Sequence, residues 1–107
     1  MRRGDLYRVR RPPGDPRPSR VFVVVSRQAL LDSKFSAAVC APIYTQGREL
    51  GTQVAVGPQE GLKHPSWIFC DDLASIRKSQ LTDFVGTLSP AKLSRLSQTL
   101  RIALDIP

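Results

Sequence analysis

The stretch that most constrains the fold is the apolar run at residues 21–25, Val-Phe-Val-Val-Val. β-Branched and aromatic residues favour an extended backbone, and a run without polar alternation is typical of a strand buried on both faces. The run is too short for its periodicity to separate strand from helix, so its valine content and its length decide for a strand. The rest of the chain must therefore supply apolar partners for both sides of this strand.

Arg20 stands at the entrance of this strand, directly after a segment, residues 12–19, that holds four prolines and one glycine. Proline fixes the backbone and removes a hydrogen-bond donor, so this segment predicts a loop between two antiparallel strands. A cation where a loop meets a buried strand is well placed to contact a ligand. The alternative is a surface arginine that merely begins the strand.

Apolar alternation between turn residues predicts further short strands. With the first run, the predicted strands lie at residues 5–9, 20–26, 36–44, 53–56, 67–70, 73–76 and 84–88. Helical turns are predicted at residues 26–31, with Ser26 as the N-cap, and at residues 78–81.

The C-terminal helix is the clearest element of the chain. Ser89 at the N-cap and Pro90 at the first helical position predict its start. Apolar residues then recur on one helical face, at Leu93, Leu96, Leu100, Ala103 and Leu104. Six or seven short strands with a single terminal helix predict a mostly β fold, a small and strongly curved antiparallel barrel.

The length of 107 residues predicts a single domain, residues 1–107. No apolar run approaches the roughly 20 residues of a membrane span, and no apolar segment follows the N-terminus as in a signal peptide. We therefore expect a cytoplasmic protein with no membrane partner. Cys40 and Cys70 both lie in apolar runs and are expected to be buried thiols.

Positive charge is concentrated at the start of the chain. The net charge is +7, and seven of the 16 basic residues fall within the first twenty positions, all of them arginine. Arginine suits bidentate contact with phosphate, and an asymmetric basic field suggests a polyanionic partner, most often nucleic acid. The alternative is a basic protein without such a partner.

The residue types exclude several reaction schemes. His64 is the only histidine, so a two-imidazole scheme for cleaving RNA is excluded, and its neighbours Lys63 and Pro65 predict an exposed turn. No glycine-rich phosphate loop is present. Asp71 and Asp72 are adjacent and would point to opposite faces of a strand, so no metal site and no cofactor is predicted.

Isolated polar groups at strand ends remain: Arg20, Tyr44 or Thr45, and Asp71. They are compatible with metal-free cleavage of a phosphodiester, in which the RNA 2′-hydroxyl attacks its own phosphate. Such a site must orient the hydroxyl, accept its proton and stabilise charge on phosphorus. The residue types permit this chemistry without requiring it.

The order of short motifs along nearly the whole chain resembles the MazF/PemK-type toxins, mRNA endoribonucleases of toxin–antitoxin pairs. The matching stretches are residues 3–7 (RGDLY), the proline-rich loop leading to Arg20, and residues 23–26 (VVVS), 41–45 (APIYT), 61–64 (GLKH), 70–71 (CD), 78–81 (KSQL) and 86–90 (GTLSP) with the helix that follows. The resemblance implies an SH3-like barrel of the MazF/PemK/CcdB toxin type and a homodimer. It also implies metal-independent cleavage of single-stranded mRNA to 2′,3′-cyclic phosphate and 5′-hydroxyl ends, and inhibition by a cognate acidic antitoxin.

The resemblance also assigns roles by position. Arg20 takes the place of the family's catalytic arginine, and Asp71 an acidic position near the scissile group. The family's threonine slot holds Tyr44, so Thr45 is favoured as the functional hydroxyl, while Tyr44 is expected to bind RNA by hydrogen bonding or stacking. Further RNA contacts are expected from basic residues outside the catalytic set, Arg11, Arg17, Arg27 and Arg48.

The sequence departs from the family pattern at three places. Val21 replaces the proline usual after the arginine, Phe69 stands where some members have a basic residue, and residues 12–19 lack a His or Glu found there in many members. The same fold also hosts toxins that cut nothing. The alternative function is therefore a non-catalytic toxin that binds a protein such as DNA gyrase, or binds RNA without cleaving it.

Overall fold

A computed structural model describes residues 1–47 and 50–107 of the chain. The strands are β1 (Asp5–Val9), β2 (Arg20–Val24), β3 (Ala37–Tyr44), β4 (Gln53–Val56), β5 (Ser66–Phe69), β6 (Ala74–Arg77) and β7 (Asp83–Thr87). The helices are α1 (Gln28–Leu31) and α2 (Pro90–Ala103), and short 3₁₀ turns lie at Pro58–Glu60 and Lys78–Gln80.

The strands form one curled antiparallel sheet in the order β4-β5-β3-β2-β1-β7. Strand β3 is the longest and joins the parts of the sheet, because it pairs with β2 along one edge and with both β6 and β5 along the other. A register shift between Leu6 and Tyr7 interrupts the pairing of β1 with β7, and such irregularities bend a sheet. The predicted mostly β fold, a curved antiparallel sheet with one C-terminal helix, is confirmed.

Strand β2 is buried on both faces, as its sequence predicts. Val23 and Val24 are both 0% exposed, and they belong to different apolar clusters because successive strand residues point to opposite faces. The larger cluster includes Leu6, Val23, Ala41, Ile43, Val54, Val56, Ile68 and Leu96. The smaller cluster includes Tyr7, Val24, Leu31, Ala38, Cys40, Ile76 and Leu81.

Helix α2 begins as predicted and covers the larger cluster. The Ser89 Oγ accepts a hydrogen bond from the Lys92 backbone N–H at 3.2 Å, with Pro90 in the first turn. Leu96 is fully buried, and Leu93 and Leu100 pack against the same cluster. The expectation that Leu104 belongs to the buried stripe is wrong, since α2 ends at Ala103 and Leu104 is 53% exposed.

The prediction that Ser26 is the N-cap of α1 is wrong. The N-cap residue of α1 is Arg27, without a side-chain cap, and the Ser26 Oγ accepts a hydrogen bond from the Val39 backbone N–H at 2.7 Å. The Val25 and Ser26 backbone N–H groups both donate to the Val39 carbonyl. The hydroxyl therefore completes the pairing of β2 with β3 where the ladder ends.

Lys78 stabilises the other end of α1. Its ammonium Nζ donates to the carbonyl oxygens of Leu30, Leu31 and Ser33 at 2.9, 3.1 and 2.9 Å. The last carbonyls of a helix have no partner within the helix, and a cation there also interacts favourably with the helix dipole. The sequence alone does not show this long-range cap.

Both cysteines are buried free thiols, as predicted. Burial raises the pKa of Cys40 to about 12. Burial, with a smaller contribution from the charge of Asp71, raises the pKa of Cys70 to about 11. Both thiols are therefore neutral near pH 7 and behave as small apolar side chains. In the described part of the chain, no helix is long and apolar enough to cross a membrane.

The turn after the 3₁₀ segment Pro58–Glu60 is fixed by a close backbone approach. Gly61 has a φ of +91°, and a Cβ at this position would overlap the Val85 carbonyl oxygen of β7. Glu60 is 3% exposed, and its carboxylate accepts hydrogen bonds from the Gly57 backbone N–H at 2.7 Å and from the Lys92 Nζ at 2.9 Å. This anchoring positions the segment that follows, residues 62–64.

Candidate functional site

A groove of about 220 Å³ lies where β2 begins and β3 ends. The apolar residues Val21, Ile43 and Leu62 line part of it. Its polar lining includes Arg8, Arg20, Thr45, Lys63 and His64. The sheet explains this grouping, because Arg8 on β1 pairs with Val21 on β2, while the anchored turn after Gly61 brings in Lys63 and His64.

The groove is positively charged. Arg8, Arg20 and Lys63 line it, and among the described residues that line it there is no carboxylate. Three cations without a counter-charge attract an anion such as a phosphate. Within residues 1–47 and 50–107, no group of three or more His, Cys, Asp or Glu side chains is placed to hold a metal ion.

Arg20 rests on an aromatic ring rather than in an ion pair. Its guanidinium carbon lies 4.3 Å from the centroid of the Tyr44 ring, within the range of a cation–π contact. In the described part of the chain, the ion pairs are Arg10–Asp83, Arg17–Asp15 and Lys92–Glu60, so Arg20 keeps its charge for another anion.

Tyr44 is held at its ring and at its hydroxyl. The ring meets the Phe69 ring edge-on, with centroids 4.7 Å apart, and the hydroxyl donates to the Asp72 Oδ2 at 2.9 Å. Burial and the hydrogen bond to Asp72 raise the pKa of Tyr44 above its ordinary value, while the nearby Arg20 acts in the opposite direction. The hydroxyl therefore stays protonated and directed at Asp72, which gives the guanidinium a fixed platform.

Thr45, the next residue, is exposed and lines the groove with Arg20. Because the Tyr44 hydroxyl already donates to a carboxylate, Thr45 is the hydroxyl of this pair that is placed to face a ligand. The role of Thr45 as the functional hydroxyl stays a prediction.

Asp71 and Asp72 both follow β5 and are both exposed. Asp72 contacts Tyr44, whereas neither aspartate is among the described residues that line the groove. The role of Asp71 in proton transfer stays a prediction. Sequence reasoning missed Asp72, because only the geometry of the turn decides which of two adjacent aspartates faces the end of β3.

Of the basic residues predicted to contact RNA, Arg11, Arg17 and Arg27 are not among the described residues that line the groove. The Arg11 Nε donates to the Pro18 carbonyl at 3.2 Å, and Arg17 pairs with Asp15 at 2.7 Å. The hydrogen bonds from Arg17 lower the pKa of Asp15 to about 2. Arg27 is exposed at the start of α1. Arg48 lies outside the described residues, and all four contacts stay predictions.

Three groove residues with ionisable side chains were not in the predicted site: Arg8, Lys63 and His64. His64 lies in an exposed turn, as its neighbours indicate. Its place beside Arg20 depends on the packing of Gly61 against β7, which connects positions distant in sequence. The alternation of side chains along β1 could have indicated Arg8, because it places this residue on the same side of the strand as Leu6.

The sequence and the fold were compared with those of known proteins. The family model described as a PemK-like, MazF-like toxin of type II toxin–antitoxin systems matches residues 2–104. Endoribonuclease MazF1 of Mycobacterium bovis is 27% identical over 105 residues, covering 98% of this chain and 93% of that protein. Endoribonuclease MazF4 of Mycobacterium tuberculosis gives the same values.

Solved structures agree with this match. A mycobacterial endoribonuclease in complex with its cognate antitoxin is 26% identical, with a TM-score of 0.85, covering 100% of this chain and 97% of that chain. MazF from a MazE–MazF complex of Deinococcus radiodurans is 15% identical with a TM-score of 0.79, covers 100% of this chain and 98% of that one, and shows a shared fold. Since the family model covers nearly the whole sequence, the chain belongs to the PemK-like, MazF-like toxin family of type II toxin–antitoxin systems.

Proposed function

We propose that the chain is a toxin endoribonuclease that cleaves single-stranded mRNA without a metal ion, leaving 2′,3′-cyclic phosphate and 5′-hydroxyl ends. The observation that carries the proposal is the Arg20 guanidinium, which lies outside every ion pair of the described residues and rests on Tyr44 at a groove lined by cations. The names of the mycobacterial relatives support the activity.

In the proposed reaction the RNA 2′-oxygen attacks the adjacent phosphorus, and the bond from phosphorus to the 5′-oxygen breaks. Arg20 stabilises the charge that develops on the phosphate oxygens, and Thr45 donates a hydrogen bond to the same group. Asp71 orients the 2′-hydroxyl or accepts its proton, and the leaving 5′-oxygen takes up a proton from the protonated base or from water. His64 is a second candidate for the proton acceptor, because it lines the groove with Arg20.

The charge distribution supports a polyanionic substrate. Arg8 and Lys63 line the groove beside Arg20, and the net charge of the chain is +7. Cations around a site raise the rate at which a polyanion reaches it, and this effect falls as salt rises. In the proposal, the further basic residues Arg11, Arg17, Arg27 and Arg48 guide RNA towards the groove.

The same charge suits the partner that we propose, a cognate acidic antitoxin that covers the groove. One of the similar solved structures is a complex of an endoribonuclease with its cognate antitoxin. Acidic disordered segments fold onto basic surfaces on binding. A homodimer and a cytoplasmic location complete the proposal, and both are supported by membership of the toxin family.

The function is tested by incubating the purified chain with end-labelled single-stranded RNA in excess EDTA. We expect discrete fragments that carry 2′,3′-cyclic phosphate and 5′-hydroxyl ends. A gel shift with RNA that stays intact would support the non-catalytic alternative instead. Cleavage only after Mg²⁺ is added would contradict metal independence.

Replacing Thr45 with valine is expected to slow RNA cleavage by about 10-fold or more, because the variant keeps the shape of the side chain and loses a donor to the phosphate. Tyr44→Phe is the matched variant, since it also removes one hydroxyl and keeps the ring beneath Arg20. In the parent, the Tyr44 hydroxyl donates to Asp72 and not to a ligand, so cleavage by Tyr44→Phe should stay within about 3-fold of the parent rate. Single-turnover rates in EDTA compare the two, and the reverse order would show that Tyr44 supplies the functional hydroxyl.

A further inference from the structure

A second cavity lies beside Phe69, the ring that contacts Tyr44. It has a volume of about 490 Å³ and is lined by Gln46, Gly47, Leu50, Gln53 and Phe69. The cavity is connected to the groove through aromatic contacts, because Arg20 lies over Tyr44 at 4.3 Å and Tyr44 meets Phe69 at 4.7 Å. A ligand held by Arg20 therefore has this cavity within reach of its neighbouring groups.

The chemistry of this cavity differs from that of the groove. The described residues that line it carry no charge and present an aromatic ring, an aliphatic side chain and carboxamide groups. Among the described residues that line the cavity, none is a cation that would bind a phosphate. A planar nucleobase would stack on the ring, and a carboxamide offers both donors and an acceptor to the edge of a base.

The packing of Gly47 against Trp67 leaves Phe69 as the aromatic residue that lines the cavity. A Cβ at Gly47 would overlap the Trp67 indole, so the glycine backbone lies directly against that ring. Trp67 and Phe69 point to the same side of β5, because they are two residues apart in a strand. Both rings are half-buried, Trp67 packs against the Gly47 backbone, and Phe69 lines the cavity with Leu50.

We propose that Phe69 forms the stacking surface of a nucleobase subsite, which binds a base of single-stranded RNA next to the phosphate that Arg20 contacts. The inference rests on the proposed function for its ligand, RNA. Gln46, exposed at the rim, contributes to the choice among bases through its carboxamide. The subsite makes Phe69 a residue that determines affinity for bases, whereas Arg20 acts on the sugar–phosphate chain.

The test compares two oligomers that cannot be cleaved. One is a 2′-O-methyl RNA of mixed sequence, and the other is a chain of abasic units with the same number of phosphates. Fluorescence anisotropy gives the dissociation constant of each for the parent, Phe69→Leu, Phe69→Tyr and Arg20→Ala, with thermal unfolding as the check on folding. Stacking on an aromatic side chain contributes about 1–3 kcal/mol per base, which corresponds to roughly 5- to 150-fold in affinity.

In Phe69→Leu, we expect the preference for the base-bearing oligomer over the abasic one to fall by roughly 5-fold or more. Phe69→Tyr should keep that preference, and Arg20→Ala should weaken both oligomers by similar factors. An unchanged preference in a folded Phe69→Leu variant would overturn the proposal. If Phe69→Leu does not fold, Gln46→Ala decides, since the proposal requires it to change the relative affinities for U, C and A oligomers.

Different results would contradict the endoribonuclease proposal and the subsite proposal. A parent protein that leaves RNA intact in EDTA, but binds bases in a manner that depends on Phe69, would contradict the endoribonuclease and support the subsite. A parent that cleaves RNA, with the same base preference in Phe69→Leu, would support the endoribonuclease and overturn the subsite.

Discussion

Arg20→Ala is expected to lower the rate of RNA cleavage in EDTA by at least about 10³-fold while leaving the fold intact. The guanidinium rests on Tyr44 and lies outside the ion pairs of the described residues, so its removal leaves no carboxylate without a partner. A charged donor aimed at developing negative charge is worth several kcal/mol of transition-state stabilisation. Single-turnover cleavage and thermal unfolding, measured on the same preparation, test both parts of the expectation.

Two further variants separate geometry from charge. Arg95→Ala removes one exposed positive charge from α2, away from the groove, and should change cleavage by no more than about 3-fold. Arg20→Lys keeps the charge but loses the planar fork that stacks on Tyr44, and it should restore only a small part of the activity. Cleavage by a folded Arg20→Ala protein at the parent rate would exclude the catalytic role.

Gly61→Ala is expected to destabilise the fold by about 3 kcal/mol or more and to lower the unfolding temperature by at least about 10 °C. The residue has a φ of +91°, and the new Cβ would overlap the backbone carbonyl oxygen of Val85. The left-handed backbone alone costs an alanine about 1–2 kcal/mol. The overlap adds to this cost, because neither backbone segment can move without breaking the packing of the turn on β7.

Gly14→Ala is the matched control. Gly14 also has a left-handed backbone, with a φ of +86°, but a Cβ there would have no atom within 4 Å. This variant should cost only about 1–2 kcal/mol, because the backbone conformation alone is penalised. Thermal unfolding measures both variants, and equal losses would show that the approach to Val85 contributes nothing. Since Gly61 precedes the groove residues Lys63 and His64, a partly folded Gly61→Ala protein should also cleave poorly.

The sequence predicted the sheet well where local pattern and burial agree. Residues 21–25 carry enough valine to specify a strand buried on both faces, and Ser89 with Pro90 specifies the start of α2 through groups next to each other in the chain. The predictions failed at the ends of helices and strands, where a side chain can bond either to a local partner or to one distant in sequence. Ser26 is a good N-cap by type, but its hydroxyl bonds to the Val39 backbone on another strand.

The candidate site was predictable only in part, for a similar reason. Arg20 begins β2 and Thr45 directly follows β3, and these two strands pair with each other, so the positions of both residues follow from the order of the elements. His64 reaches the groove through a turn packed on β7, and Asp72 reaches Tyr44 through the turn after β5. Such placements depend on loop geometry, which residue types alone do not specify.

The packing of Gly47 on Trp67 has a practical consequence. Trp67 is the only tryptophan of the chain, and a Cβ at Gly47 would overlap its indole. Indole fluorescence responds to the solvent and quenching groups around the ring, so its emission reports on whether Gly47 stays packed against the indole. The unlabelled molecule therefore contains an optical probe at the border of the Phe69 cavity, suited to following an oligonucleotide as it arrives in a stopped-flow cell.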